Sequence, residues 1–285
     1  MDITLRSANP EDIAACAHLC YDAFLSISEA HNFPSDYPTV DSALSLVEYR
    51  VRHPEFLTVV AEAKGRVVAC NFLDERSTVF GVGPLAVVPD MQNKGIGRSL
   101  LVDAARHTKE SGAAGMRLTQ TAYHSRSFSL YTKLDFRVRD VLACMRGTCS
   151  KAKVSGHDVR SATEADRESC DALCRRTHGH DRSRELDEAV RQGTAVVVER
   201  GGRITGYATD LSFRGHAVGE DNTSMKALMS SAGSFGHPGI LVPLSNGDLT
   251  QWCLERGLRA GDLHTLMSSG MYQTPKGPYL PSALF

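Results

Sequence analysis

Val87-Val88-Pro89-Asp90-Met91-Gln92-Asn93-Lys94-Gly95-Ile96-Gly97-Arg98-Ser99-Leu100-Leu101 joins two hydrophobic periodicities. Upstream, the apolar run Val82 to Val88 reads as a buried strand. Downstream, Leu100, Leu101, Ala104 and Ala105 read as the inner face of a helix. Such a strand–turn–helix leaves the first helical amides without partners at the positive end of the helix dipole. The turn is therefore suited to hold a phosphate. Lys94 and Arg98 add positive charge at the same place. A side chain at Gly95 or Gly97 would keep an anion away from the backbone.

Two common phosphate loops do not fit. A nucleoside-triphosphate loop needs Gly-x-x-x-x-Gly-Lys-Ser/Thr, but Arg98 follows Gly97 and no glycine lies five residues before it. A dinucleotide fingerprint needs a third glycine where Leu100 stands. What fits is Gln92-x-x-Gly95-x-Gly97 behind Val88-Pro89. This segment resembles the acetyl-coenzyme A pyrophosphate loop of the GNAT acyltransferase superfamily. The resemblance implies acetyl-CoA as co-substrate. It implies that Gln92, Asn93, Lys94, Gly95, Ile96, Gly97, Arg98 and Ser99 hold the pyrophosphate. Leu85, Ala86, Val87 and Val88 would then receive the pantetheine arm like an added strand, through main-chain hydrogen bonds.

The 285 residues suggest about two domains. Apolar content of 42% with 23% charged residues is ordinary for a globular chain with a core. A net charge of −1 carries no global footprint for nucleic acid. No run approaches the ~18 apolar residues of a membrane span, and Met1-Asp2-Ile3-Thr4-Leu5-Arg6 lacks the apolar stretch of a signal peptide. The eight cysteines form no C-x-x-C pair. Cys16/Cys20 and Cys170/Cys174 are one helical turn apart beside apolar neighbours, which reads as small buried residues in a reducing cytoplasm. Cys170, Cys174, His178 and His180 match none of the usual zinc spacings, so no metal site is expected.

The chain carries its own pattern twice. Arg6-Ser7-Ala8, Asp12, Cys16, Leu19 and Cys20 reappear 154 residues on as Arg160-Ser161-Ala162, Asp166, Cys170, Leu173 and Cys174. Val60, Glu62, Gly65 and Arg66 are echoed by Val197, Glu199, Gly202 and Arg203, and Arg137 and Met145 by Arg259 and Met267. Three echoes in one order imply homologous domains. We expect a first domain over 1–149, a linker over 150–156 and a second domain over 157–285.

In the first copy the spacing predicts strand 3–6, helices 10–24 and 39–51, a hairpin over 57–63 and 66–73, and a strand over 79–88. Helix 95–111, strand 116–120, helix 125–133 and strand 136–145 follow. This is an α/β layer architecture in the element order of the GNAT fold. The resemblance implies two tandem GNAT-like domains, each a mixed, mostly antiparallel central sheet flanked by helices. Pro84 is expected to force a bulge.

A second motif, His124-Ser125-Arg126-Ser127-Phe128-Ser129-Leu130-Tyr131-Thr132-Lys133-Leu134-Asp135-Phe136, resembles the family's Asn-x-x-Ala-x-x-x-Tyr-x-x-x-Gly-Phe. By that resemblance Tyr131 protonates the departing thiolate, while His124 and Ser127 help hold the coenzyme. His124 departs from the usual asparagine, and Asp135 from the usual glycine. Family members often carry an acid on the central strand, but Phe80-Gly81-Val82-Gly83-Pro84 has none. Glu75, at the end of the preceding strand, is the candidate base, directly or through water. No Gly-x-Ser-x-Gly elbow exists, and Cys144 in its apolar strand reads as inert.

In the second copy the phosphate-loop position reads Glu220-Asp221-Asn222-Thr223-Ser224-Met225-Lys226, without a glycine pair and with two acids facing the anion's place. Asn246 and Cys253 stand where His124 and Tyr131 stand in the first copy. The second domain therefore reads as a degenerate copy. His178-Gly179-His180-Asp181-Arg182 reads as a solvated polar loop, and the tail Pro275 to Pro281 as turn-rich chain packed across the surface.

The expected function is transfer of an acetyl group from acetyl-CoA to a primary amine by direct attack in a ternary complex. The acceptor is a small molecule or a peptide, without nucleic acid or membrane partners, and a homodimer stays open. The alternative is a non-catalytic acyl-CoA sensor.

Overall fold

The structure is a computed structural model describing residues 3–150 and 153–284. The chain packs as two compact units. The first runs to Glu75 and resumes over Val79–Met116 and Tyr123–Phe136. The second takes Arg76–Thr78, Arg117–Ala122 and the described chain from Arg137 on.

In the first unit, β1 (Thr4–Ser7), β2 (Phe56–Ala63), β3 (Arg66–Asp74) and β4 (Val79–Val87) lie in that order, each antiparallel to the next. One face is covered by α1 (Ile13–Ala30) and α2 (Val40–Arg52), which set Cys16, Cys20 and Val47 against Val60, Cys70 and Phe72. On the other face α3 (Ile96–Glu110) packs Ile96 and Leu100 on Val59, Ala61 and Val68. Burying such side chains is worth about 1.5–3 kcal/mol each. A shorter helix, α4 (Ser125–Thr132), completes the unit. Helix α1 runs six residues past Phe24, because nothing breaks it before Asn32 enters the left-handed region (φ 58).

The second unit contains β5 (Gly115–Thr121), β6 (Arg137–Thr148), β7 (Asp158–Ser161), α5 (Arg167–His178) and α6 (Ser183–Gln192). It continues with β8 (Val196–Arg200), β9 (Arg203–Ala208), β10 (Ala217–Gly219) and α7 (Asn222–Ala232). It ends with β11 (Ser234–Pro243), α8 (Gly247–Glu255), β12 (Arg259–Gly270) and β13 (Tyr279–Leu280). One strand order is β5-β12-β6-β11, the other β13-β10-β9-β8-β7.

The sequence echoes are structural. Arg6 forks onto both oxygens of Asp12 (2.7 and 2.9 Å) and reaches Glu62 (3.0 Å); Arg160 repeats this with Asp166 (2.7 Å twice) and Glu199. Asp12 and Asp166 each also accept the amide three residues back, from Asn9 and Thr163 at 2.8 Å, completing capping boxes ahead of α1 and α5. Their guanidinium partners hold both carboxyls below the usual range, Asp166 at about 2.

Packing nonetheless cuts across the repeat. β6 lies between β12 and β11, antiparallel to both. Leu142 stands opposite His264, its own counterpart 122 residues on, as Arg259 is of Arg137. The two equivalent strands therefore pair with each other, a non-local choice that short-range periodicity does not encode.

The tail differs from the sequence expectation. Tyr279 and Leu280 do not lie across the surface. They are buried and form an edge strand pairing with Val218 and Ala217 of β10.

Candidate active site

β4 is bulged. Asn71 faces Leu85 and Leu73 faces Val82, so Gly83 and Pro84 together oppose Phe72. Proline lacks the ladder donor and forces this break, as the sequence predicts. Asn71 Nδ2 donates to the Pro84 carbonyl at 3.3 Å. A Cβ at Gly83 would lie 3.0 Å from Phe72 Cβ, so glycine alone fits.

Past β4 the chain turns through Asn93 (φ 61) and Gly95 (φ 85) into α3. Gln92 Nε2 donates to the Val87 carbonyl at 3.0 Å and ties the loop to the strand end. Lys94 Nζ folds back onto the Asp90 carbonyl at 2.9 Å. No side chain caps α3. The amides of Ile96, Gly97 and Arg98 thus begin the helix without intrahelical partners. Arg98 is exposed and makes no ion pair among the described residues. A Cβ at Gly97 would lie 3.4 Å from Leu85, 3.6 Å from Leu130 and 3.8 Å from Val87, so strand, α3 and α4 converge at this glycine. Uncapped amides, a cradle that bulk would fill and two cations together suit a pyrophosphate. Leu85, Ala86, Val87 and Val88 lead directly into this loop, and Ser99 Oγ turns inward to the Gly95 carbonyl (3.3 Å).

His124 stands at the N-cap position of α4, but its side chain bonds Ser127 Oγ (Nδ1, 2.8 Å) rather than a helix amide. Burial and the charges of Arg126 and His31 push its pKa down to about 4, so the ring is neutral at pH 7. One turn on, Tyr131 is buried against Phe136. Its hydroxyl has no hydrogen-bond partner among the described residues. Burial holds the phenol protonated, with its pKa pushed up to about 12.

Glu75 is not near this loop. Its Oε1 lies 2.8 Å from Nε2 of His107, in the last turn of α3. His107 is eleven residues beyond Ile96, about 16 Å along the axis at ~1.5 Å per residue.

The second copy has filled its equivalent positions. Asp221 caps α7, accepting the Ser224 amide at 2.7 Å. Glu220 does not face an open anion site; it is ion-paired with Arg176 and Arg203. β13 occupies the free edge of β10. Asn246 caps α8 by accepting the Leu249 amide (3.2 Å), and Cys253 is buried.

Sequence reasoning missed two features. Tyr123 stacks with His31 (centroids 5.0 Å apart) and with Phe33 (4.6 Å) beside α4. The expected solvated loop around His178 is instead buried: His178, His180 and Arg182 lie in the second unit's interior. Arg182 forks onto Glu185 at 2.7 Å twice, Arg117 reaches His180 at 3.2 Å, and Tyr207 bonds His216 at 2.9 Å. Burial and the two guanidinium charges press all three histidines toward the neutral form, His180 to about 3 and His216 to about 4. Arg117 and His216 come from distant parts of the sequence and Glu185 lies just beyond the run, so residues 178–182 by themselves gave no sign of this partnership.

Residues 54–138 match the profile of the acetyltransferase (GNAT) domain. No curated protein matches the chain. Among solved structures, one from Pyrococcus horikoshii, described as a candidate acetyltransferase, superposes with a TM-score of 0.70 at 19% identity. The match covers 94% of this chain and 89% of that one. A GCN5-related N-acetyltransferase from Sphaerobacter thermophilus gives 0.62 at 14% identity, covering 95% and 96%. A tandem GNAT protein from the clavulanic acid biosynthesis pathway gives 0.58 at 12%, covering 94% and 98%. Over nearly its whole length the chain shares the fold of these proteins. No helix among the described residues is long and apolar enough to cross a membrane.

Proposed function

We propose, for a chain that is a tandem member of the GNAT acetyltransferases, transfer of an acetyl group from acetyl-CoA to a primary amine of a small molecule or peptide in a ternary complex. The observation that carries this reading is the uncapped start of α3 behind the bulge of β4, with Gly95, Gly97, Lys94 and Arg98 around it. Repeat boundaries at 1–149 and 157–285, joined by 150–156, belong to the same proposal. So does a cytoplasmic setting, compatible with eight free buried cysteines.

Gln92 through Ser99 would hold the pyrophosphate, and Leu85 to Val88, with His124 and Ser127, the pantetheine arm. Acetyl-CoA supplies the activated acetyl thioester. Backbone amides at the end of β4 steady the negative charge that develops on the carbonyl oxygen. Glu75, poised by His107 at the far end of α3 from the loop, takes the amine proton through water. Tyr131 returns a proton to the sulfur as the carbon–sulfur bond breaks and the carbon–nitrogen bond forms. The second copy supports the reading by contrast, since Asp221 and β13 close the equivalent positions there.

The test is thiol release from acetyl-CoA against a panel of amines. Tyr131→Phe should lower turnover about a hundredfold with coenzyme affinity within about twofold. Release of thiol with no amine would remove the transferase reading. Binding without turnover on any amine would favour the sensor. Wild-type turnover in Tyr131→Phe would remove its acid role.

A further inference from the structure

The second unit holds a cluster that the acetyl-transfer reading leaves unused. Cys144 of β6 faces an irregularity on β12, and on β11, where it pairs regularly with Leu241, it lies beside another. On β12, Ala260 pairs with Met145 and Leu263 with Ala143, so Gly261 and Asp262 both oppose Cys144. On β11, Phe235 pairs with Gly147 and Ile240 with Met145, so Gly236 to Gly239 bulge outward. This second bulge places the Pro238 carbonyl 3.0 Å from Cys144 Sγ. Gly239, at φ 130, allows it, because a Cβ there would lie 2.4 Å from the Met145 carbonyl and 3.2 Å from Cys144 Sγ. Bulges re-aim side chains next to functional sites, and here two converge on one thiol.

Asp262 and His264 are two apart on β12 and share a face. His264 Nε2 lies 2.9 Å from Asp262 Oδ2. Its other ring nitrogen, Nδ1, is buried without a hydrogen-bond partner. A buried polar atom left so costs about 1–3 kcal/mol. Donor atoms of Cys144, Asp262 and His264 all lie within 4.8 Å of one another; Cys144 and His264 are buried, and the Asp262 side chain is 11% exposed. Among the described residues no other group of three such side chains converges, and Cys170, Cys174, His178 and His180 do not. The walls are mostly apolar, with Leu142, Leu241 and Leu266 in the same cluster and the Phe213 ring edge-on to His264, while the Arg146 guanidinium lies against Gly261 on the Asp262 side.

We propose that Cys144, Asp262 and His264 form a structural binding site for a divalent, thiophilic metal ion, with zinc as the best fit. One sulfur, one nitrogen and one oxygen donor select zinc over magnesium or calcium, which take all-oxygen sets. A thiolate and a carboxylate neutralise a doubly charged ion, which an apolar pocket requires. Ligand bonds of about 2.0–2.3 Å need the donors drawn in by about an ångström. The Pro238 carbonyl stands ready as a fourth donor. The ion would replace the thiol proton and pin β6 to β12 and β11 at their irregular points.

The full chain is titrated with cobalt as the spectroscopic stand-in, and separately with zinc. The expected results are one ion per chain and a thiolate-to-cobalt charge-transfer band that zinc bleaches. Cys144→Ser should abolish the band, and His264→Gln should weaken affinity at least about tenfold. Should either variant fail to fold, native mass spectrometry and calorimetry of the unmodified chain decide. One retained zinc with release of about one proton supports the site. A chain that binds no zinc, takes up cobalt without the band, or keeps the band in Cys144→Ser overturns it.

Discussion

Gly97→Ala should leave the fold as stable or stabilise it by up to about 1 kcal/mol, since alanine is the better helix residue, while coenzyme affinity falls at least about a hundredfold. The separation of these effects follows from geometry. A methyl group at this position meets only ordinary contacts, at 3.4 Å and beyond. The fold does not need the glycine; on the proposed reading the ligand does. A carbon added where strand, α3 and α4 converge is expected to hold a phosphate off the amides of Ile96, Gly97 and Arg98. Losing two charge-assisted hydrogen bonds at about 1.5–3 kcal/mol each amounts to two or more decades in Kd. Gly97→Val should abolish measurable binding. Gly95→Ala is a different experiment, because φ 85 strains any side chain there by about 1–2 kcal/mol. Calorimetric titration with coenzyme A checks both, and an unchanged Kd in Gly97→Val would refute the loop assignment.

Acidification should unfold the second unit well before the carboxylates titrate. His178, His180 and His216 are buried neutral beside Arg117 and Arg182. Their folded pKa values lie below the unfolded value of about 6.5. Between those limits the unfolded chain binds protons that the folded chain refuses, so stability falls as pH falls. Above pH 7 the three contribute nothing to this slope. Below about 6.5 each removes up to about 1.4 kcal/mol per pH unit, so His180 and His216 together cost about 4 kcal/mol by pH 5 and His178 adds to them in the same direction. That is a large share of the ~5–15 kcal/mol that holds a domain folded. Asp12 and Asp166, whose pKa values are lowered by Arg6 and Arg160, act in the same direction only nearer pH 4. Urea midpoints at pH 7.5 and 5.5 measure the slope, and His216→Asn should remove about a third of it. A midpoint flat across that range would show the histidines to be solvated.

The features legible in the sequence share one property, which is locality. The loop from Gln92 to Ser99, the helix over 10–24 and the break at Pro84 are each set by neighbours a few positions away. Tyr131 and His124 were legible as positions on one short helix, because a motif of thirteen residues placed both. Strand exchange was not legible. β6 and β12 occupy equivalent places in the repeat, and nothing in either says that it pairs with the other rather than within its own copy. The buried cluster stayed hidden for a related reason. His180 and Arg182 read as surface residues until Arg117 and Glu185 arrive to share their charge. Glu75 is read as the candidate base only from its place at a strand end, and its partner His107 lies 32 residues downstream, beyond the reach of that reading.

The short terminal ladder on β10 has a consequence for handling the molecule. An open rim of unpaired amides and carbonyls recruits other chains, and Tyr279 and Leu280 sheath that rim from within. Cutting the chain after Gly270 would strip the sheath, and light scattering should then report concentration-dependent clumping. On this expectation, the two paired residues act as a guard against polymerisation.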